Sequence, residues 1–216
     1  MIKLISKDSP KTNLFEIRKN QIMDISFTFF FKQGYDATTM RQIAKACKLT
    51  PASLYNYFSS KNDILQVLCE REIGDEIGRL TPILNKLNYT RPTEVLKEEI
   101  KVYFNSYNDK QDWLMFVNRQ MFLFPRKYRH MLLDRNIATV EGFKNILKKG
   151  IETGEFQPES QKIELIANQI IAFAQDWVLR RWYLRDHFKL EEYTEKCTEA
   201  ILIQITGNTG NIIREP

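Results

Sequence analysis

The chain has 216 residues, of which 43% are hydrophobic and 27% charged, with a formal net charge of +5. Gly and Pro number only 8 and 7, and alternating β-branched runs are missing, so an all-α fold is expected. No run of 18 apolar residues occurs, and MIKLISKDSPK lacks the apolar core of a signal peptide, which predicts a cytoplasmic protein with no membrane partner.

Cysteines 47, 69 and 197 are odd in number and far apart, which argues for free thiols rather than disulfides or a thiolate metal site. His130 and His187 lack a second His at helical spacing. Phosphate loops and nucleophile elbows are also missing. The sequence therefore predicts no metal, no cofactor and no catalytic residues, and an enzyme is the remote alternative. The charge is uneven. Residues 1–70 hold 10 Lys/Arg against 6 Asp/Glu, a net of +4, while residues 71–216 come to +1. A basic N-terminal third is the electrostatic footprint of nucleic-acid binding, although the same excess is common on solvated surfaces.

In chain order, residues 1–12 read as a polar arm in which Lys3, Lys7 and Lys11 face solvent or phosphate. Asn13 and Glu16 suggest the cap of a first helix reaching about Lys32. One broad face carries Ile22, Met23, Ser26, Phe29 and Phe30, as the core of a small helical domain needs. Gly34 ends that helix. Thr39 and Gln42 form a capping box, so a second helix begins at Met40, with Ile43, Ala44 and Cys47 inward. Lys48 and Leu49 make a turn. Thr50 is an N-cap and Pro51 suits the first helical position, giving a third helix from Pro51 to Phe58 with Leu54 and Phe58 buried.

Two short helices around a tight turn are the helix-turn-helix arrangement, whose second helix enters the DNA major groove. Small residues at its start (Pro51, Ala52, Ser53) allow close approach, and Tyr55, Asn56 and Tyr57 offer hydroxyls and an amide to phosphates or base edges. Partial burial is the competing reading for Tyr55 and Tyr57. From Phe30 through Gly34-Tyr35, Thr38-Thr39, Ile43-Ala44, Leu49-Thr50, Leu54-Tyr55, Tyr57-Phe58 and Ser60-Lys61 to Leu65, the order and spacing resemble the DNA-binding domain of the TetR family of transcriptional repressors. The likeness covers residues 18–67, about a quarter of the chain. It departs at Lys48, where the family usually has Gly, and more mildly at Ala46 and Cys47. If Lys48 sits at positive φ, it costs about 1 kcal/mol relative to Gly.

The resemblance implies that Thr39 binds phosphate with its helix start, that Pro51, Ala52 and Ser53 face bases, that Tyr55, Asn56 and Tyr57 meet backbone or base edges, and that Lys48 and Lys61 contact phosphate. It implies residues 1–70 as a DNA-binding domain and 71–216 as a helical ligand-binding and dimerisation domain. The partners are then a double-stranded operator, a second copy of the chain and a small, mostly apolar effector. A regulator that has no ligand and uses its C-terminal domain for protein contacts is the alternative.

Behind Lys61 a long helix should run towards Thr81, weakened at Gly74 and Gly78, with Pro82 opening a new segment. Further helices are expected at residues 92–108, from Asp112 to Phe124, from Arg126 to Thr153, from Ser160 to Asp186 and at residues 190–206, with a tail from Asn208. Tyr103, Phe104, Tyr107, Trp113, Phe116, Phe122, Phe173 and Trp177 are candidate ligand-lining residues, with ordinary core as the competing reading. Ile170, Ile171, Ala174 and Val178, with Ala200, Ile201 and Ile205, recur at helical spacing and resemble the family's four-helix dimer face. Trp182-Tyr183 and Gly150…Gly154-Glu155-Phe156 resemble members that respond to fatty acyl-CoA or other hydrophobic ligands.

Overall fold

The computed structural model describes residues 10–84, 91–157 and 162–207, with side chains described for 14–72, 91–157 and 162–207. Among the described residues every regular element is helical. The elements are α1 (Pro10–Gln33), α2 (Met40–Ala46), α3 (Pro51–Tyr55), α4 (Lys61–Leu84), α5 (Pro92–Asp109), α6 (Gln111–Gln120), a 3-10 turn (Met121–Leu123), α7 (Arg126–Glu152), α8 (Ile163–Leu179), α9 (Arg181–His187) and α10 (Leu190–Thr206). None is long and apolar enough to cross a membrane. The chain divides into two compact units. One holds residues 1–72 and 119–128; the other holds 73–118 and 129–216.

The first unit is built on a small, completely enclosed core. Ile22, Phe30, Ile43, Leu54, Phe58, Ile64, Leu65 and Leu68 are buried, so α1, α2, α3 and the start of α4 each contribute an apolar stripe. Burying each such side chain contributes about 1.5–3 kcal/mol. From the Phe27–Phe31 run only Phe30 is fully enclosed. Ser26 is also buried, and its hydroxyl donates to the Ile22 carbonyl at 2.7 Å, which meets its hydrogen-bonding need inside the helix. Residues 119–128 complete this unit. The Tyr35 N–H donates to Gln120 Oε1 at 2.8 Å, Phe124 meets the Tyr35 ring edge-on at 6.3 Å, and the Tyr128 hydroxyl donates to Gln66 at 3.0 Å.

The second unit has its own core, in which α5 lies against α8 and α10. Leu96, Ile100, Tyr103, Phe104, Leu147 and Phe156 are among its most enclosed members. Gly150 makes room for Phe156: a Cβ there would lie 1.8 Å from the ring, which therefore seats directly on the α7 backbone. The Phe156 N–H donates to the Gly150 carbonyl at 3.0 Å, and Gly154 turns the chain at φ +79°. Glu155 then accepts from the Thr93 N–H at 3.0 Å and its hydroxyl at 2.6 Å, at the start of α5. The Gly150…Gly154-Glu155-Phe156 pattern thus serves the fold by hooking the end of α7 onto α5.

Several expected boundaries are corrected. α1 begins at Pro10, whose fixed φ suits a first helical position, so Asn13 lies within the helix and does not cap it. α3 is shorter than predicted: it ends at Tyr55, and Asn56 caps it while Phe58 turns back into the core. α4 continues past Pro82 to Leu84. α6 begins at Gln111 and stops at Gln120, so Asp112 sits in its first turn and pairs with Arg181 at 3.2 Å. The long helix expected from Ser160 to Asp186 breaks at Arg180, which ends α8 through a bond to the Asp176 carbonyl (2.8 Å) and accepts from Tyr183 and Leu184 to start α9. Arg181 and Arg185 hold α9 by donating to Gln111 on α6 at 3.2 and 2.6 Å. The expected N-terminal arm ends sooner than residue 12, because Lys11 already lies in α1; Lys3 and Lys7 and the tail from Asn208 lie outside the described residues, as do side-chain statements at residues 10–13 and 73–84.

Candidate nucleic-acid interface

The first unit presents α2 and α3 around a closed turn. At Thr39 both halves of the capping box form. The hydroxyl accepts from the Gln42 N–H at 3.3 Å, and the Gln42 carboxamide oxygen accepts from the Thr39 N–H at 2.8 Å. At the other end of α2, the Leu49 N–H reaches the Ala44 carbonyl at 2.9 Å and the Lys48 N–H reaches Lys45 at 3.1 Å. This is the Schellman pairing, and it requires the residue between to be left-handed. Lys48 meets that requirement at φ 55°, the one non-Gly residue at positive φ among the described residues. Arg18 reinforces the same helix end by donating to the Cys47 carbonyl at 2.6 Å, where a cation complements the helix dipole.

α3 starts from Thr50, which accepts from the Ser53 N–H at 3.1 Å, with Pro51 behind it. Leu54 is fully buried, so the helix has one fixed orientation. Pro51, Ala52, Tyr55 and Asn56 are exposed and Ser53 is half-buried. Tyr55 is 53% exposed, a large open surface for an aromatic, and it does not take the partial-burial reading. Tyr57 does: it is half-buried, and its ring stacks on Phe15 at 4.8 Å. Ser60 caps α4 by accepting from Asp63, whose carboxylate in turn accepts from the Ser59 N–H and hydroxyl.

Lys61 departs from the simple phosphate contact expected of it. Its ammonium donates to the carbonyls of Tyr35 (2.7 Å) and Asp36 (3.2 Å) and lies 4.4 Å from the Tyr35 ring centre. An ammonium has three donors, so two are used inside the protein. The Tyr35 hydroxyl in turn donates to Asn62, and burial pushes its pKa up to about 12, with Asp36 adding to the shift. The loop before α2 is therefore held from two sides, by Lys61 and by Gln120. Gly34, at φ +94°, has Gln120 against it: a Cβ there would come within 3.1 Å of the carboxamide.

Thr39, Lys48, Pro51, Ala52, Tyr55 and Asn56 thus share the exposed surface of one helix pair. Arg41 and Lys45, two cations that the sequence reading did not single out, are also exposed on α2. The available signal was their four-residue spacing, opposite the buried Ile43 and Ala44. The bond from Tyr35 to Gln120 spans 85 residues and had no local signal.

In the second unit, the ligand-lining candidates do not behave as one group. Tyr103, Phe104, Tyr107 and Trp177 belong to the buried core, and Phe173 packs against it. Trp177 donates to Asn108 at 3.1 Å and stacks on Tyr193 at 5.4 Å. Trp113 and Phe116 are buried outside that cluster, with their rings 5.7 Å apart. Phe122 is a correction: it is 78% exposed and belongs to the first unit. The proposed dimer face is corrected too. Ile170, Ile171, Ala174, Val178, Ile201 and Ile205 are buried within the protomer's own core, and only Ala200 is half-buried. Helical spacing found the buried stripe but not the exposed one, because α8 is apolar on both sides. Its open side carries Leu165 at 68% exposure, Ala172 and Leu179, and Trp182 follows on α9 at 74%.

Among the described residues no three His, Cys, Asp or Glu side chains gather to hold a metal ion. Cys47, Cys69 and Cys197 are buried free thiols. Burial raises the pKa of each, that of Cys69 to about 12, so none is an activated nucleophile.

Residues 22–68 match the family described as bacterial regulatory proteins, tetR family, and residues 99–191 match the tetracyclin repressor-like C-terminal domain. The HTH-type transcriptional regulator HbdR of Aromatoleum sp. (strain CIB) is 28% identical over 85% of this chain and 78% of its own length. The HTH-type transcriptional repressor KstR2 of Mycolicibacterium smegmatis is 25% identical over 90% of this chain and 93% of its own. The structure of AibR in complex with isovaleryl coenzyme A and operator DNA has the same fold, with a TM-score of 0.66 at 15% identity, covering 88% of this chain and 98% of that one. With the helix-turn-helix and the C-terminal domain both matched, the chain belongs to the TetR family and is a DNA-binding transcriptional regulator.

Proposed function

We propose that the protein is a homodimeric repressor, cytoplasmic, that reads a near-palindromic operator with α3 and leaves it when a small, mostly apolar effector binds residues 71–216. The observation that carries the DNA contact is the surface of the helix pair. Leu54 anchors α3 while Pro51, Ala52, Tyr55 and Asn56 stay open. In this reading, Pro51, Ala52 and Ser53 approach base edges, and Tyr55, Asn56 and Tyr57 meet base edges or backbone. Thr39, Arg41, Lys45 and Lys48 contact phosphate, with the third donor of Lys61 beside them. Two copies of α3 would enter successive major grooves roughly 34 Å apart.

The exposed Leu165, Ala172, Leu179 and Trp182 favour a partner on that side of α8 and α9. Similarity to KstR2, named a repressor, supports repression, and the complex of AibR with isovaleryl coenzyme A makes an acyl-CoA-like molecule one effector candidate. The effector acts only through its different affinity for the DNA-bound and free states.

Selection of operator DNA from random sequence, with and without candidate effectors, tests the reading. A palindromic consensus that is lost on adding an effector is the expected outcome; no enriched sequence would contradict it. Light scattering at micromolar concentration checks the assembly. The wild type should run as a dimer and Leu165→Glu with Trp182→Glu as a monomer, whereas a wild-type monomer would overturn the dimer.

A further inference from the structure

α5 carries a polar stripe into the core of the second unit. Glu99, Tyr103, Ser106 and Tyr107 are all buried on it, and Glu99 is 1% exposed. The spacing of 99, 103 and 106 places them on one side of the helix. Tyr103 and Tyr107 answer each other, with their hydroxyls 2.8 Å apart. Among the described residues, Glu99 Oε1 and Ser106 Oγ are buried without any hydrogen-bond partner. Leaving such a group unmet costs about 1–3 kcal/mol, more for a charged one, and native cores hold few. The helix does not meet the hydrogen-bonding need of this oxygen, so the fold alone does not account for it.

The charge that bears on Glu99 is that of Glu98, which has the same sign, and burial together with that neighbour raises its pKa to about 7. With burial and Glu98 both acting against the charge, the group is held towards the neutral acid, which both donates and accepts. Resting on the reading of this unit as the effector-binding one, we infer that Glu99 and Ser106 are the polar anchors of the effector, and that the part of the effector they meet is uncharged and mostly apolar, bearing carbonyl or hydroxyl oxygen. A free carboxylate is disfavoured there, because it would be buried beside another acid.

The test uses 2-undecanone, 1-undecanol and undecanoate as probes of one length, with binding to the whole chain followed by calorimetry at pH 6, where Glu99 keeps its proton and undecanoate is ionised. Expected are binding of the ketone or the alcohol at least tenfold tighter than undecanoate, a loss of tenfold or more in Glu99→Leu, a few-fold loss in Ser106→Ala, and near-wild-type binding in Glu99→Gln. Equal binding by Glu99→Leu, preference for undecanoate, or no uptake of any probe would overturn the inference. Operator binding of the same variants without probe is measured in parallel. All should bind DNA as the wild type does; if the wild type itself fails to bind DNA, the repressor reading falls while the probe result still decides Glu99.

Discussion

The two units solve the same problem, a helical core, by different means. In the first, polar groups sit at helix ends and find local partners: Thr39 with Gln42, Thr50 with Ser53, Ser60 with Asp63. In the second, polar groups run into the core along α5, and two of them are unmet among the described residues. The first is arranged to hold one shape and present a surface; the second keeps a buried carboxyl with one oxygen left unmet.

Substitutions in each unit probe this difference. The largest effect is expected from Leu54→Ala, which removes a fully buried side chain from a small core and should cost about 2–5 kcal/mol. DNA binding should vanish as the first unit melts, seen by circular dichroism as loss of helix at lower temperature. Gly150→Ala comes next: a methyl group driven into Phe156 should cost about 1–3 kcal/mol and lower the melting temperature without touching α2 or α3. Unchanged melting would mean that Phe156 is free to move away.

Lys48→Gly separates geometry from charge. Removing the left-handed penalty should stabilise the protein by about 1 kcal/mol in urea denaturation, while removal of a phosphate-binding cation should lower the salt slope of DNA binding by about one. The smallest effect concerns pH. The unfolded Glu99 carboxyl loses its proton in the ordinary carboxylate range and the folded one near 7, so the folded state holds the extra proton between them. Stability should therefore fall as pH rises through that window and level off above it. Glu99→Gln should remove this part of the decline in denaturation measured from pH 5 to 8.

The same contrast explains what the sequence disclosed. Caps and turns are short-range, so the Thr39–Gln42 box, the Thr50-Pro51 start and the turn at Lys48 were legible from neighbouring residues, while the left-handed backbone of Lys48 was suggested only by the glycine usual there in the family it resembles. Helix ends set by distant partners were not: α6 stops at Gln120, whose side chain meets Tyr35, and α9 separates from α8 where Arg181 and Arg185 reach Gln111. The apolar repeat of α8 marked Ile170 and Val178 but could not say whether the protomer or a partner covers them; the protomer does. Lys61 was legible as a cation at a helix start, not as the clamp on Tyr35 and Asp36.

That the open surface of α3 reads DNA sequence is tested most directly by fluorescence anisotropy with a selected operator and with random DNA, using Tyr55→Ala combined with Asn56→Ala. Both side chains are exposed, so melting should not change. Operator affinity should fall by about 1–3 kcal/mol for each base-edge interaction removed, while binding to random DNA changes little. Operator affinity equal to that of the wild type would contradict the assignment of α3 as the sequence-reading helix.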